Sequence, residues 1–340
     1  MGRKDKKYSK DLHQQAYDRL TGMLAFGESK KEAKTDGTMK DKIFSFNTYR
    51  NYWKHTKYFI AYLKENHPEC TTLKKARNYV NEWLQVRVDQ GLSAWTIQIE
   101  AKAMGKLFGI QPDDEDYFIP PKRNRADIKR SRGDCVRDRH FSVTNNDELI
   151  KFCRGTGLRR SELEALKGKD LVTREQIDEG IAKLENIPEP ERTPEEIRWL
   201  ETLQDTRLFE EEYFLLVRNG KGGRERLSPI IGPNAGQIVE RVRNTPAEDR
   251  VWQFVHQCAD IHSYRSDYAV AIYKAHARKI DKIPFDRVNQ GTGRRYQSEV
   301  YTCRKDEAGK KLDKAAMLVC SKALGHNRIS VVADNYIRGL

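Results

Sequence analysis

The chain has 340 residues, 33% charged and 38% hydrophobic, with a formal net charge of +13. That length suits two domains with a core each, and the absence of a bilayer-length apolar run or signal-peptide pattern argues against a membrane or exported protein. The positive excess favours a polyanionic partner, because bound phosphates release counterions, although a basic protein without such a partner has the same composition.

Residues 1–40 read as a basic arm, with one loosely packed helix predicted over 9–32. Residues 41–112 read as a helical domain. Over 47–65, Tyr49, Tyr52, Trp53, Thr56, Ile60 and Leu63 recur at helical spacing and make a buried stripe. Arg50, Lys54, Lys57 and Lys64 lie on another face, which is either solvated or set against a DNA backbone. Further helices are predicted over 72–88 and after an N-cap at Ser93, the latter carrying Ile97, Ala101, Met104 and Phe108. Helices of this length form a small bundle.

Residues 113–141 read as an interdomain linker. Pro120-Pro121 stops any helix, and the basic side chains that follow include Lys122, Arg123, Arg125, Lys129 and Arg130. Such a segment can lie along a duplex or be a solvated connection.

Residues 142–340 read as a catalytic domain. A helix capped by Asn145 or Asn146 and another from about residue 159 precede strands over 213–217 and 224–230, joined by a glycine-rich turn. Helices follow over 233–242, 263–279 and 314–324, with an extra hairpin near 299–312. The fold class is therefore mostly α, a helical bundle plus a mainly helical domain with a small antiparallel sheet. Residues 171–210 look like an acid-rich insertion, with helix starts at Thr173-x-x-Gln176 and Thr193-Pro194-Glu195-Glu196. Its charge makes it a poorer candidate for DNA contact than for protein contact. The six cysteines form no C-x-x-C pair and suggest neither a zinc site nor a disulfide framework, which fits a reducing, cytoplasmic compartment.

Five segments of 142–340 carry chemistry in series: Gly155-Thr156-Gly157-Leu158-Arg159-Arg160-Ser161-Glu162-Leu163, Asn219-Gly220-Lys221-Gly222-Gly223, His262-Ser263-Tyr264-Arg265, Leu324-Gly325-His326, and Tyr336. Guanidinium groups are planar, always charged and bidentate toward phosphate oxygens, so Arg159 and Arg265 can brace a five-coordinate phosphorus; Arg160 rivals Arg159. Glu162 lies one helical turn beyond Arg159, either orienting the site or simply pairing with it. Glycines around Lys221 allow a close approach, and neighbouring cations can make that lysine a proton donor. His262 and Arg265 share a helix face. A tyrosine is a poor nucleophile unless a cationic pocket or base activates it. The set can hold, attack and reprotonate a phosphodiester without a metal or other cofactor.

With these motifs in this order, 142–340 resembles the tyrosine recombinases, or phage-type integrases. Gly91-Leu92-Ser93-x-x-Thr96-Ile97 more weakly resembles their core-binding domain. The resemblance implies a clamp around double-stranded DNA, with Arg159, Lys221, His262, Arg265 and His326 catalytic, Glu162 supporting and Tyr336 the nucleophile. It implies a 3′-phosphotyrosyl intermediate, a Holliday junction, and a homotetramer on two duplexes assembled from free monomers. The setting it implies is the integration or excision of a bacterial mobile element near the nucleoid, with room for an accessory DNA-bending protein. Type IB topoisomerase-like relaxation, or an inactive DNA-binding accessory protein, are the rivals. Three departures from the family pattern stand out: the long stretch between Arg265 and Leu324, the abbreviated helices before Arg159, and the four residues after Tyr336. The last puts in doubt the exchange of a C-terminal tail between subunits.

Overall fold

The computed structural model describes residues 10–124, 141–218, 220, 225–283, 299–304, 307–326, 328–338 and 340. Lys221, Arg125, Lys129 and Arg130 lie outside these residues, as do most of the basic linker and the first nine residues of the arm. The chain divides into two compact units, Met1–Lys129 and Arg130–Leu340.

The first unit is helical. It contains α1 (Leu12–Thr21), α2 (Lys30–Thr35), α3 (Phe46–Asn66), α4 (Leu73–Ala76), α5 (Val80–Asp89) and α6 (Ala94–Phe108). Most of these starts are fixed by a short polar side chain accepting an orphan backbone N–H: Asp11, Ser29, Ser45, Thr72 and Ser93 each accept from the residue three positions on. The single helix expected over 9–32 is in fact two. The Gly22 N–H closes α1 by bonding the Asp18 carbonyl, and Gly27 takes a left-handed φ of 86° before Ser29 restarts the chain as α2. Nor is α1 loosely packed, since Leu12, Ala16 and Leu20 join the core made by Phe59, Ile60 and Leu63 of α3, Trp83 and Leu84 of α5, and Met104 and Leu107 of α6. Arg50, Lys54, Lys57 and Lys64 are all exposed and share one face of α3. Lys122 and Arg123 are exposed as well, with the Arg123 guanidinium 5.9 Å from the Trp95 ring centre.

The second unit is mostly α with a small antiparallel sheet. Its helices are α7 (Asp147–Thr156), α8 (Arg160–Ala165), α9 (Arg174–Glu185), α10 (Pro194–Gln204), α11 (Ala235–Arg243), α12 (Ile261–His276), α13 (Lys314–Ala323) and α14 (Ile329–Asn335). The sheet has the order β1 (Leu171–Thr173), β2 (Tyr213–Val217), β3 (Arg226–Pro229), with Leu215 paired to both Leu171 and Ser228. β1 is not visible in the sequence pattern: three residues are too few to show an alternation. β4 (Val300–Thr302) and β5 (Lys311–Asp313) form the additional hairpin expected near 299–312. The capping boxes predicted at Thr173 and Thr193 both form and open α9 and α10. α12 packs against both α7 and α13, and α13 packs against α14. These four helices position the site. Among the described residues no helix is long and apolar enough to cross a membrane.

Candidate active site

The ends of α7, α13 and α14 meet the beginnings of α8 and α12 at the site. α12 starts behind Asp260, whose side chain accepts the Ser263 N–H. Its first two turns carry His262 and Arg265. Arg265 is only 1% exposed. Its guanidinium donates to the carbonyls of Gly157 and Leu324, the residues that close α7 and α13. Helix C-termini present unpaired carbonyls and partial negative charge, so two of them together can hold a buried cation. Burial, reinforced by the Arg226 and Arg159 cations, pushes Arg265 down to about 10, which leaves it charged at neutral pH.

Gly157 makes this arrangement possible. It has a φ of 59°, and a Cβ there would sit 2.2 Å from the Tyr268 ring. A side chain at this position would push α7 away from α12 and take the Gly157 carbonyl with it.

Arg159 is the N-cap of α8, and its backbone N–H donates to Glu162 Oε2 at 2.8 Å. Its guanidinium donates to Glu162 Oε1 and, at 3.4 Å, to the Leu324 carbonyl that Arg265 also uses. Glu162 is buried and is gripped from its other side by Arg226 of β3, through Nη1 at 2.9 Å and Nη2 at 2.8 Å. Burial alone would raise the Glu162 carboxyl, but the Arg226 hydrogen bonds and charge, together with Arg159, hold it at about 2. Glu162 is therefore an anion at any physiological pH and has no proton to give. Arg160, the rival to Arg159, instead donates to the carbonyls of Val255, His256, Gln257 and Ala259. It fixes the loop ahead of α12 and turns away from Glu162.

Tyr336 follows α14, with its N–H bonded to the Val332 carbonyl. It is 8% exposed. Its hydroxyl lies 3.3 Å from Arg265 Nε, which donates to it, and 3.3 Å from His326 Nε2. The Arg265 guanidinium carbon is 5.5 Å from the tyrosine ring centre. The His262 and His326 rings lie tilted against the same phenol, with centroids 5.4 Å and 5.3 Å away. Gly325 turns the chain after α13 with a φ of 67°, and Ser321 pins His326 by accepting its N–H at a backbone carbonyl and donating a hydroxyl to its carbonyl.

The structure thus gathers Arg159, Glu162, His262, Arg265, His326 and Tyr336, which span 178 positions of sequence (336 − 159 + 1). Lys221 lies outside the described residues; Arg226, a few positions beyond it, is at the site. Cys153 and Cys320 are no rival nucleophiles, since burial pushes both thiols up to about 12. Among the described residues no group of three or more His, Cys, Asp or Glu side chains is placed to hold a metal ion. A groove of 1380 Å³ runs beside the site, lined by Arg159, Arg226, Gly220, Gly325 and His326 on one side and by Trp199 and Glu201 of α10 on the other. The acid-rich segment therefore borders the cationic cluster, a proximity that its charge does not suggest. Tyr336, Arg265 and His262 do not line this groove.

No protein-family model matches the sequence, and no curated protein matches it. Among solved structures, the chain is similar to the Tn1549 transposon integrase in complex with transposon right-end DNA and in complex with circular-intermediate DNA. Each comparison has 13% sequence identity, covers 97% of this chain and 96% of the other, and gives a TM-score of 0.35.

Proposed function

We propose that this chain is a site-specific DNA recombinase that cuts and rejoins double-stranded DNA through Tyr336. The observation that carries this reading is the Tyr336 hydroxyl, buried near the end of the sequence and in contact with Arg265 Nε and His326 Nε2 at 3.3 Å each. A phenol alone is a weak nucleophile at neutral pH; one surrounded by a buried arginine and two imidazoles is suited to losing its proton as it attacks.

In the proposed reaction the Tyr336 oxygen bonds to the scissile phosphorus and the bond from phosphorus to the 5′ oxygen breaks. The products are a 3′-phosphotyrosyl ester and a free 5′-hydroxyl. In this reading His262, whose ring centre lies 5.4 Å from that of the phenol, is the candidate acceptor of the phenol proton, and Lys221 is the candidate donor to the departing oxygen. Arg159, Arg265 and His326 would stabilise the charge on the non-bridging oxygens. Glu162 holds Arg159 and does not attack. Attack by the 5′-hydroxyl of a partner strand reverses the step, and because the protein–DNA ester conserves the phosphodiester energy no nucleotide cofactor is required. The Tyr336 hydroxyl takes the Arg265 Nε donor, so in the proposed reaction the phenol gives up that contact as a phosphate engages the guanidinium. Recombination on two duplexes through a Holliday junction would engage four protomers that are monomers when free. In a mobile element this activity would serve integration or excision.

The test uses nicked duplexes carrying the sequences that flank the gene. The nick lets the short strand diffuse away and prevents religation. Intact protein should accumulate as a covalent complex, and Tyr336→Phe should form none. Trapping by the Phe variant removes Tyr336 from its role. Tight binding without trapping by either protein assigns a binding function, and relaxation of a supercoiled plasmid without strand exchange assigns a topoisomerase.

A further inference from the structure

We infer that Arg226, which the motif series does not include, is a positioning residue that joins the segment carrying Arg159 to the one carrying His326. The inference rests on the reading of Tyr336 as a DNA nucleophile and extends it.

Arg226 opens β3 and lies five positions beyond Lys221 in the sequence. Its side chain is 8% exposed and its partner Glu162 is 2% exposed, so both charges are out of water. The two terminal nitrogens take one Glu162 oxygen each, at 2.9 and 2.8 Å, while Nε donates to the Ala323 carbonyl at 3.3 Å. Glu162 in turn holds both the backbone and the guanidinium of Arg159. Ala323 is the last residue of α13, two positions before the turn that presents His326. That turn is shaped around Arg226: a Cβ on Gly325 would lie 2.6 Å from Arg226 Cδ. One side chain therefore contacts the carboxylate that aims Arg159 and the helix end that aims His326.

The chemistry of the contact requires arginine. A planar fork satisfies two carboxylate oxygens and leaves Nε for the Ala323 carbonyl, whereas a lysine ammonium is a single point and cannot span all three. Loss of Arg226 also leaves Glu162 a buried anion that keeps Arg159 but loses its two-pronged partner, which is destabilising by itself. A stability effect alone would therefore not establish positioning, and the measured quantity must be the rate per folded molecule.

The experiment measures covalent-complex formation on the nicked duplex with saturating full-length protein, alongside the melting temperature and the DNA dissociation constant. Arg226→Lys keeps the buried charge pair. It should remain folded and bind DNA as wild type does, yet form the complex about 100-fold more slowly, since small misplacements of catalytic groups cost that much. A folded Arg226→Lys protein that reacts at the wild-type rate overturns the inference. A second comparison removes both buried charges. Because the route from Arg226 to Arg159 runs through Glu162, the double variant Glu162→Gln/Arg226→Met should lose less than the product of the two single-variant losses, whereas fully multiplicative losses overturn that route. If wild-type protein forms no covalent complex, the reading of Tyr336 fails and this inference fails with it. If wild type reacts and folded Arg226→Lys reacts equally fast, only this inference fails.

Discussion

Replacing Arg265 with lysine isolates the contribution of guanidinium geometry from that of charge. Arg265 donates to three acceptors at once: the Gly157 and Leu324 carbonyls and the Tyr336 hydroxyl. A lysine ammonium at the end of a flexible stem can keep about one of them. At least one buried helix-terminal carbonyl is then left without a donor, at a cost of about 1–3 kcal/mol. For a unit of this size that is a fall in melting temperature of about 2–12 °C. The kinetic loss should be larger. Removing one pre-positioned donor to a developing oxyanion typically costs about 10²–10³ in rate, and on the proposed reading Arg265→Lys disturbs both such a donor and the partner of the nucleophile. The assay is single-turnover formation of the protein–DNA adduct at saturating protein, at a temperature where thermal denaturation shows the variant to be folded. A folded Arg265→Lys protein with unaltered turnover would refute the argument that a fixed guanidinium aligns Tyr336.

Glu162 supplies a pH-dependent prediction. Its carboxyl is held at about 2, below its unfolded value, so its stabilisation is present above about pH 4.5 and disappears as pH falls toward 2. Roughly 3 kcal/mol is at stake, so the stability gap between wild type and Glu162→Gln in denaturant unfolding should narrow between about pH 5 and pH 3; a pH-independent gap would contradict the assignment. Gly157→Ala places a Cβ 2.2 Å from the Tyr268 ring at a φ of 59° and should cost about 2–5 kcal/mol by thermal or chemical denaturation; near-neutral stability would show that α7 and α12 tolerate separation. Neutralising Arg50, Lys54 and Lys57 together should reduce the slope of log affinity against log salt by about 0.9 for each DNA phosphate these side chains neutralise. An unchanged slope would make that face of α3 an ordinary solvated one.

Local signals in the sequence suffice where the cause is local. Ser93, Thr173 and Thr193 cap the helices expected of them, because a cap involves only four consecutive residues. The stripe on α3 is legible for the same reason, although Phe59, fully buried, is hidden beside the polar Tyr58. Over 9–32, scattered apolar positions suggest one helix and mask the breaks at Gly22 and Gly27. At the site, the motif series names Arg159, His262, Arg265, His326 and Tyr336, which folding brings into one neighbourhood. Sequence cannot separate Arg159 from Arg160 by residue type. Their roles diverge because one faces Glu162 and the other faces the carbonyls of 255–259, a distinction that exists only after folding. Arg226 escapes a reading of the sequence for the same reason: its partners are 64 and 97 positions away, and nothing within its own strand distinguishes it from an exposed arginine.

The most direct test of the account is to identify the atom that carries the DNA. After trapping on the nicked duplex, nuclease digestion and proteolysis, mass spectrometry of the peptide containing residues 329–338 should find a nucleotide joined through its 3′-phosphate to Tyr336. A nucleotide on any other side chain, or an adduct joined through a 5′-phosphate, would contradict it.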